Sequence, residues 1–343
     1  MMIRRKWRPA LAAVLFVAAA AVLLRGGGPL ALGSCFIGAR VASVAVAVRW
    51  LERLGHQVRW RVGGWGRYVR EAWPYGVTKW ISASYDQLGV LCLAWLVSDA
   101  VTGAYSASFR LIDGISSLPQ VLVLVLLPEL TVRHGVAPST VAPLVRKTVA
   151  YTALLTLTLT ACFLIEGPWL IRTIYGAGYG ASVTPFRIMA LGMPFMFTTE
   201  IARTTLWALD RQRTALAVIT LGVTANLAFN LWLIPQYGAA GAAMATAASG
   251  VVVWLAMWGL LARRGITWPW LEATGKPALV ALIVSAALLS LHAFPWPVRA
   301  LGAASIALAA AVATKAITPL EWDLLRSLPG RLVPRISRRC DDF

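Results

Sequence analysis

Four ionisable residues stand near the middle of long apolar runs: Arg40, Asp86, Arg110 and Asp113. A charge at the centre of a bilayer costs about 2.5–3.5 kcal/mol on insertion scales, so these groups are expected to face one another or a hydrated cavity. Arg110 and Asp113 are three apart, hence neighbours on one helix face, and the same holds for Glu200 and Arg203. An intrahelical ion pair that only neutralises itself is the plain alternative for each pair. Lys79 lies a turn or so inside its run, where it can snorkel to the surface, yet it is seven residues from Asp86 and shares its face. Together these residues point to a polar cavity inside a membrane.

Other chemistry finds little support. Cys35, Cys92, Cys162 and Cys340 are far apart, and neither they nor His56, His134 and His292 show a metal-ligand or redox spacing. No phosphate-binding loop is present, and no cofactor is implied. A membrane enzyme acting on lipid-linked sugar would need acids or histidines on sizeable outer loops, and the only roomy one, 166–183, offers Glu166 alone. The chain is therefore not expected to be an enzyme.

The elements that position these residues follow from composition. Of 343 residues, 59% are apolar and only 13% charged, with a mean hydropathy of +0.70, which excludes an ordinary soluble domain. Apolar segments fall near 9–25, 30–48, 74–97, 100–127, 148–166, 184–208, 214–234, 238–262, 277–294 and 298–316, which predicts an all-α polytopic membrane protein of about ten helices. The first segment, with Arg4, Arg5, Lys6 and Arg8 ahead of it, also has the outline of a signal peptide; its length argues for a retained span.

The formal charge of +18 sits in short clusters between the apolar runs, which favours the positive-inside rule over nucleic-acid binding. Of the 32 Lys and Arg, 24 fall on one side and only Arg25, Arg172 and Arg299 on the other. Both termini are expected in the cytoplasm, in a multi-pass protein of the inner (plasma) membrane. The longest connections are 51–73, where Trp60, Trp65 and Trp73 interleave with arginines as in a segment on the membrane surface, and 129–147.

Helix packing has its own signature. Asn226 and Asn230 share a face, and the next span opens with Tyr237-Gly-Ala-Ala-Gly-Ala-Ala, placing Gly238 and Gly241 where two helices can approach closely and the asparagines can bond across them. Pro194 marks a point where a helix can bend.

The ordered stretches Ser84-Tyr-Asp-Gln-Leu-Gly89, Val101-Thr-Gly-Ala-Tyr-Ser-Ala-Ser-Phe-Arg-Leu111, Leu127-Pro-Glu-Leu130, Ile174-Tyr-Gly-Ala-Gly-Tyr179 and Asn230-Leu-Trp-Leu-Ile-Pro-Gln-Tyr-Gly-Ala-Ala-Gly-Ala-Ala243 resemble the polysaccharide flippases. These belong to the multidrug, oligosaccharidyl-lipid and polysaccharide exporter superfamily, with the lipid II flippases and the multidrug and toxin extrusion transporters. The resemblance implies two six-helix lobes around a cavity that carries an undecaprenyl-diphosphate-linked oligosaccharide across the inner membrane by alternating access. It further implies that Arg110 meets the diphosphate, with Asp86 balancing it when the cavity is empty; Arg40, Lys79 and Asp113 would line the same cavity, and Glu200 with Arg203 either line it or pair.

By the same resemblance, 1–58 matches the last two helices of a first lobe, 59–73 an amphipathic linker and 74–264 a complete second lobe. Two extra helices over 265–318 and a basic tail over 319–343 follow. Four helices of the first lobe are then expected upstream of a misassigned start, supplied by a partner chain, or lost, the last leaving a non-transporting scaffold. Reading the mature N-terminus from purified membranes by mass spectrometry separates these: a start four helices upstream is expected for a complete flippase, and one at Met1 or Met2 for a chain that needs a partner or no longer transports.

Overall fold

In the computed structural model, the described residues are Tyr85, 87–115, 117–291 and 293–314, with isolated positions between 34 and 49 and Gly66. The chain divides into two units, Met1–Trp73 and Pro74–Phe343. In the first, the described positions are helical. The second holds α1 (Gln87–Leu96), α2 (Asp99–Ile115), α3 (Ser117–Val136), α4 (Val141–Tyr175), α5 (Val183–Ala208), α6 (Gln212–Tyr237), α7 (Ala239–Ala262), α8 (Lys276–Ser290) and α9 (Trp296–Ala313). Short 3-10 turns at Pro138–Thr140 and Ala177–Ser182 and one π turn at Leu271–Gly275 join them, and no strand occurs among the described residues. This is an all-α, multi-pass membrane fold.

Among the described residues, five helical segments are long and apolar enough to cross a bilayer: Pro138–Tyr175, Gln212–Tyr237, Ala239–Ala262, Leu271–Ser290 and Trp296–Ala313. Two expected loops are mostly helix instead. The connection placed at 129–147 shrinks to Ala137 and the 3-10 turn, because α3 runs on to Val136 and α4 begins at Val141. The Arg133 Nε donates to Glu129 Oε1 at 2.7 Å, one helical turn away, which supports a helix beyond its apolar stretch. Likewise the outer loop expected at 166–183 is helical to Tyr175, so Glu166 stands inside α4. Hydropathy reports where lipid ends, whereas hydrogen bonding decides where a helix ends. At 35 residues α4 is about 52 Å long, well beyond a hydrocarbon core of about 30 Å.

The helix α5 is the centre of the unit. It packs against α2, α3, α4, α6 and α7, and its buried residues occur all round its axis, from Phe186 and Met189 to Phe197, Ile201 and Leu206. Apolar packing forms two clusters along it. One gathers Leu130, Val145, Ile201, Leu206, Met257 and Leu261 at the Arg-rich end. The other gathers Leu93, Tyr105, Ile171, Phe186, Met193 and Ile234 at the opposite end. The hairpin of α8 and α9 lies outside both, packed on α4 through Val280, Val284 and Leu288.

Helices α6 and α7 are joined by Gly238 alone, whose φ of +54° is one that side-chain-bearing residues rarely adopt. Three residues on, a methyl group at Gly241 would collide with the carbonyl of Leu233, so the α7 backbone rests directly on α6.

At the level of the second cluster, one proline interrupts each of α4 and α5. Pro168 has no N–H for the carbonyl of Leu164, and Pro194 none for that of Ala190. Each orphaned carbonyl is served from the other helix: Arg187 Nε on α5 donates to Leu164 O at 2.8 Å, and Thr160 Oγ1 on α4 donates to Ala190 O at 2.9 Å. Arg187 is thus turned against α4.

Thr160→Val is expected to leave the Ala190 carbonyl unpaired and to cost about 1–2 kcal/mol, read as a lower Tm in detergent. Adding Pro194→Ala restores a backbone N–H for that carbonyl, so the double variant should recover most of the loss; equal and additive losses would show that the two groups are not coupled.

Candidate functional site

On α2, Ala104, Tyr105, Ala107, Ser108 and Ile112 are buried against the rest of the unit. The opposite stripe carries Gly103, Arg110, Asp113 and Gly114, all exposed. Side chains added at Gly103 and Gly114 would meet nothing within 4 Å, so this face is open along its length. Arg110 and Asp113 share it, but the intrahelical ion pair their spacing permits is not formed, nor does either pair with another described residue. Elsewhere the outward residues are of the kind lipid accepts, such as Leu91, Trp95, Leu124 and Val125. Two unneutralised charges facing hydrocarbon would cost about 5–7 kcal/mol together, and a hydrated surface removes that cost.

Behind this face runs a polar seam. Asn226 Nδ2 on α6 donates to Ser249 Oγ on α7 at 2.9 Å, and Ser249 donates to the Thr246 carbonyl at 3.1 Å. Because that uses the only hydrogen on Ser249, the Tyr85 hydroxyl 3.0 Å away is the donor in their contact. Tyr105 on α2 closes the seam through its hydroxyl, 3.2 Å from Thr246 Oγ1. Asn230 Nδ2 donates to both the carbonyl and Oδ1 of Asn226, at 2.9 and 2.8 Å. Its own Oδ1 accepts no hydrogen bond among the described residues. Asn226, Asn230 and Ser249 are all essentially inaccessible, so the seam fixes α6 against α7 and α2 against α7.

Glu200 and Arg203 pair with one another on α5, and the Arg203 guanidinium also lies 4.8 Å over the Trp207 ring. Both side chains are 24% exposed, so this pair is largely withdrawn from the surface. Arg40, Lys79 and Asp86 lie outside the described residues. Sequence reasoning missed an ion pair between helices, Glu166 with Arg299 at 2.9 Å, each 14% exposed, which ties α4 to α9 beside the stacked rings of Trp169 and Trp296, 4.7 Å apart. It also missed Arg187 and Thr160. The positions of Pro168 and Pro194 were the available signal, since each announces an unpaired carbonyl four residues back. No group of three or more metal-ligating side chains occurs among the described residues.

A family model described as "Lipid II flippase MurJ" matches residues 6–298, which is most of the chain. The chain belongs to the MurJ family of lipid II flippases. Its fold is also similar to that of a solved lipid II flippase MurJ in an inward closed conformation, with a TM-score of 0.75 at 14% identity, over 93% of this chain and 67% of that one. No curated protein sequence matches. The sequence resemblance therefore holds at the level of the superfamily and of lipid-linked flippases, while the matched family is MurJ.

For this MurJ-family chain the open stripe of α2 has a direct check. In a background with the native cysteines replaced by alanine, Gly103→Cys and Gly114→Cys are expected to react with a membrane-impermeant maleimide once both faces are accessible, whereas Leu91→Cys and Leu124→Cys should not. Equal protection at all four positions would place the stripe in lipid.

Proposed function

We propose that the chain moves a lipid-linked glycan between leaflets and that Arg110 meets the diphosphate of the carrier. Support comes from membership of a family of flippases, which are transporters, together with a single observation on the site: Arg110 stands exposed on an open, charged helix face with no ion-pair partner among the described residues. A guanidinium keeps its charge and offers a donor fork that fits phosphate oxygens, so an unpaired arginine in a hydrated space is a ready anion site. Asp113 beside it, with Asp86, Arg40 and Lys79, completes the proposed cavity lining, and the arginine-rich ends face the cytoplasm in this reading.

Lipid II, the peptidoglycan precursor named by the family, is the first candidate substrate. The oligosaccharide of a cell-surface polysaccharide, which the resemblance to polysaccharide flippases implies, is the second, and the proposed contact at the diphosphate serves both. The segments 74–264 as a six-helix lobe, 265–318 as an added hairpin, and 1–58 with its linker 59–73 and the tail 319–343 as flanking parts belong to the same proposal.

In proteoliposomes containing fluorescent lipid II or a fluorescent undecaprenyl-diphosphate oligosaccharide, the unmodified chain should expose its substrate to an added quencher or enzyme faster than protein-free vesicles do. Arg110→Gln should slow this about tenfold or more, as loss of a charge-assisted hydrogen bond predicts, and Arg110→Lys less. Transport by Arg110→Gln at the unmodified rate would remove Arg110 from the mechanism; absence of transport with either substrate would remove the function. The faster of the two substrates identifies the glycan class.

A further inference from the structure

The connection from α7 to α8 is built unlike the other described turns. It runs Arg263-Arg264-Gly-Ile-Thr-Trp-Pro-Trp-Leu-Glu-Ala-Thr-Gly-Lys276, and its middle is anchored. Ile266 and Ala273 are buried in the cluster at the Arg-rich end, and Trp268 wedges edge-on against Trp254 and Trp258, with ring centroids 5.0 and 4.9 Å away. The Trp268 indole N–H donates to Thr274 Oγ1 at 3.0 Å, which closes the segment on itself. From α4, Arg146 Nη2 donates to Thr267 Oγ1 at 2.9 Å. That partner is a neutral hydroxyl, so the guanidinium charge stays uncompensated.

Around this rigid core the surface is of two kinds. Trp270 is 69% and Leu271 64% exposed, large apolar groups that are costly in water. Arg146, Arg263 and Arg264 are exposed, and none of them forms an ion pair with a described residue; the nearby Glu272 is unpaired as well. Aromatic and leucine side chains settle at the boundary between headgroups and acyl chains, and cations beside them sit in the headgroup plane. Three unneutralised guanidinium groups against one carboxylate, on the same short connection as an exposed indole and leucine, form the complement of one molecule in particular, a phospholipid with a net negative headgroup.

We propose that Arg146, Arg263 and Arg264, together with Trp270 and Leu271, seat an anionic phospholipid of the leaflet at the Arg-rich end. The seat spans α4 and the α7–α8 connection, so an occupant braces the α8–α9 hairpin against the helices that precede it. It is separate from the open face of α2 and makes no use of a transported substrate.

The test uses the full chain in nanodiscs of phosphatidylcholine doped with a photoactivatable phosphatidylglycerol, and the labelled peptides are located by mass spectrometry. Labelling is expected to concentrate on 262–276 and to exceed that from a photoactivatable phosphatidylcholine at the same positions. Arg263→Gln with Arg264→Gln should lower it about tenfold or more, given what each cation near an anionic surface contributes. Arg211→Gln with Arg213→Gln, which removes the same charge from the neighbouring α5–α6 turn, should leave it unchanged. Equal labelling by the two lipids in the unmodified chain would overturn the proposal without recourse to any variant. So would an equal drop in both double variants, since that is the mark of a diffuse positive field and not of a seat.

Discussion

A backbone carbonyl without a donor costs several kcal/mol in hydrocarbon, and Pro168 and Pro194 each create one within neighbouring membrane helices. The chain meets this constraint by exchange across a single interface: Arg187 of α5 serves the Leu164 carbonyl of α4, and Thr160 of α4 serves the Ala190 carbonyl of α5. Because each repair needs the partner helix in register, α4 and α5 are held at two points that apolar packing alone would leave free to slide. The core clusters lie along α5, and the α8–α9 hairpin rests on α4.

Polar contacts of the same logic set the remaining helices. Lipid is as apolar as leucine, so burying leucine against leucine gives membrane helices little reason to choose one register over another. Here the choice falls to small polar side chains: Asn226 to Ser249 between α6 and α7, Tyr105 to Thr246 between α2 and α7, and Trp254 Nε1 to Thr198 Oγ1 between α7 and α5. With Tyr105 drawn inward by that bond and by its seat over Gly89, the other side of α2 must turn outward. The exposure of Arg110 and Asp113 is the consequence, and the proposed anion site exists because the far side of the same helix is locked.

The ion pairs divide by the same geometry. Glu200 and Arg203 meet on one helix and Glu166 and Arg299 across two, and all four are mostly withdrawn from the surface. Arg110, by contrast, has the spacing for a partner at Asp113 and does not use it. Charges that are spent on one another are thereby distinguished from charges that are left available to a solute, a distinction that neither residue type nor position in an apolar run reveals.

The sequence by itself determined that the chain is a helical, multi-pass membrane protein, because apolar runs of about 20 residues and clustered cations are properties of composition along one dimension. The ordered motifs likewise carried the resemblance to lipid-linked flippases, and the spacing of Asn226 to Asn230 or Glu200 to Arg203 was legible, since helical neighbours are fixed by 3.6 residues per turn. Tertiary structure alone decided which groups meet across helices. Glu166 and Arg299 are 133 residues apart, Tyr85 and Ser249 are 164 apart, and no periodicity relates them. It also decided that 129–136 and 166–175 continue as helix, where hydropathy had ended the spans. The physical reason is that a bilayer selects residues by polarity at each depth, while register and pairing depend on which helix stands next to which, and that is settled only when the chain packs.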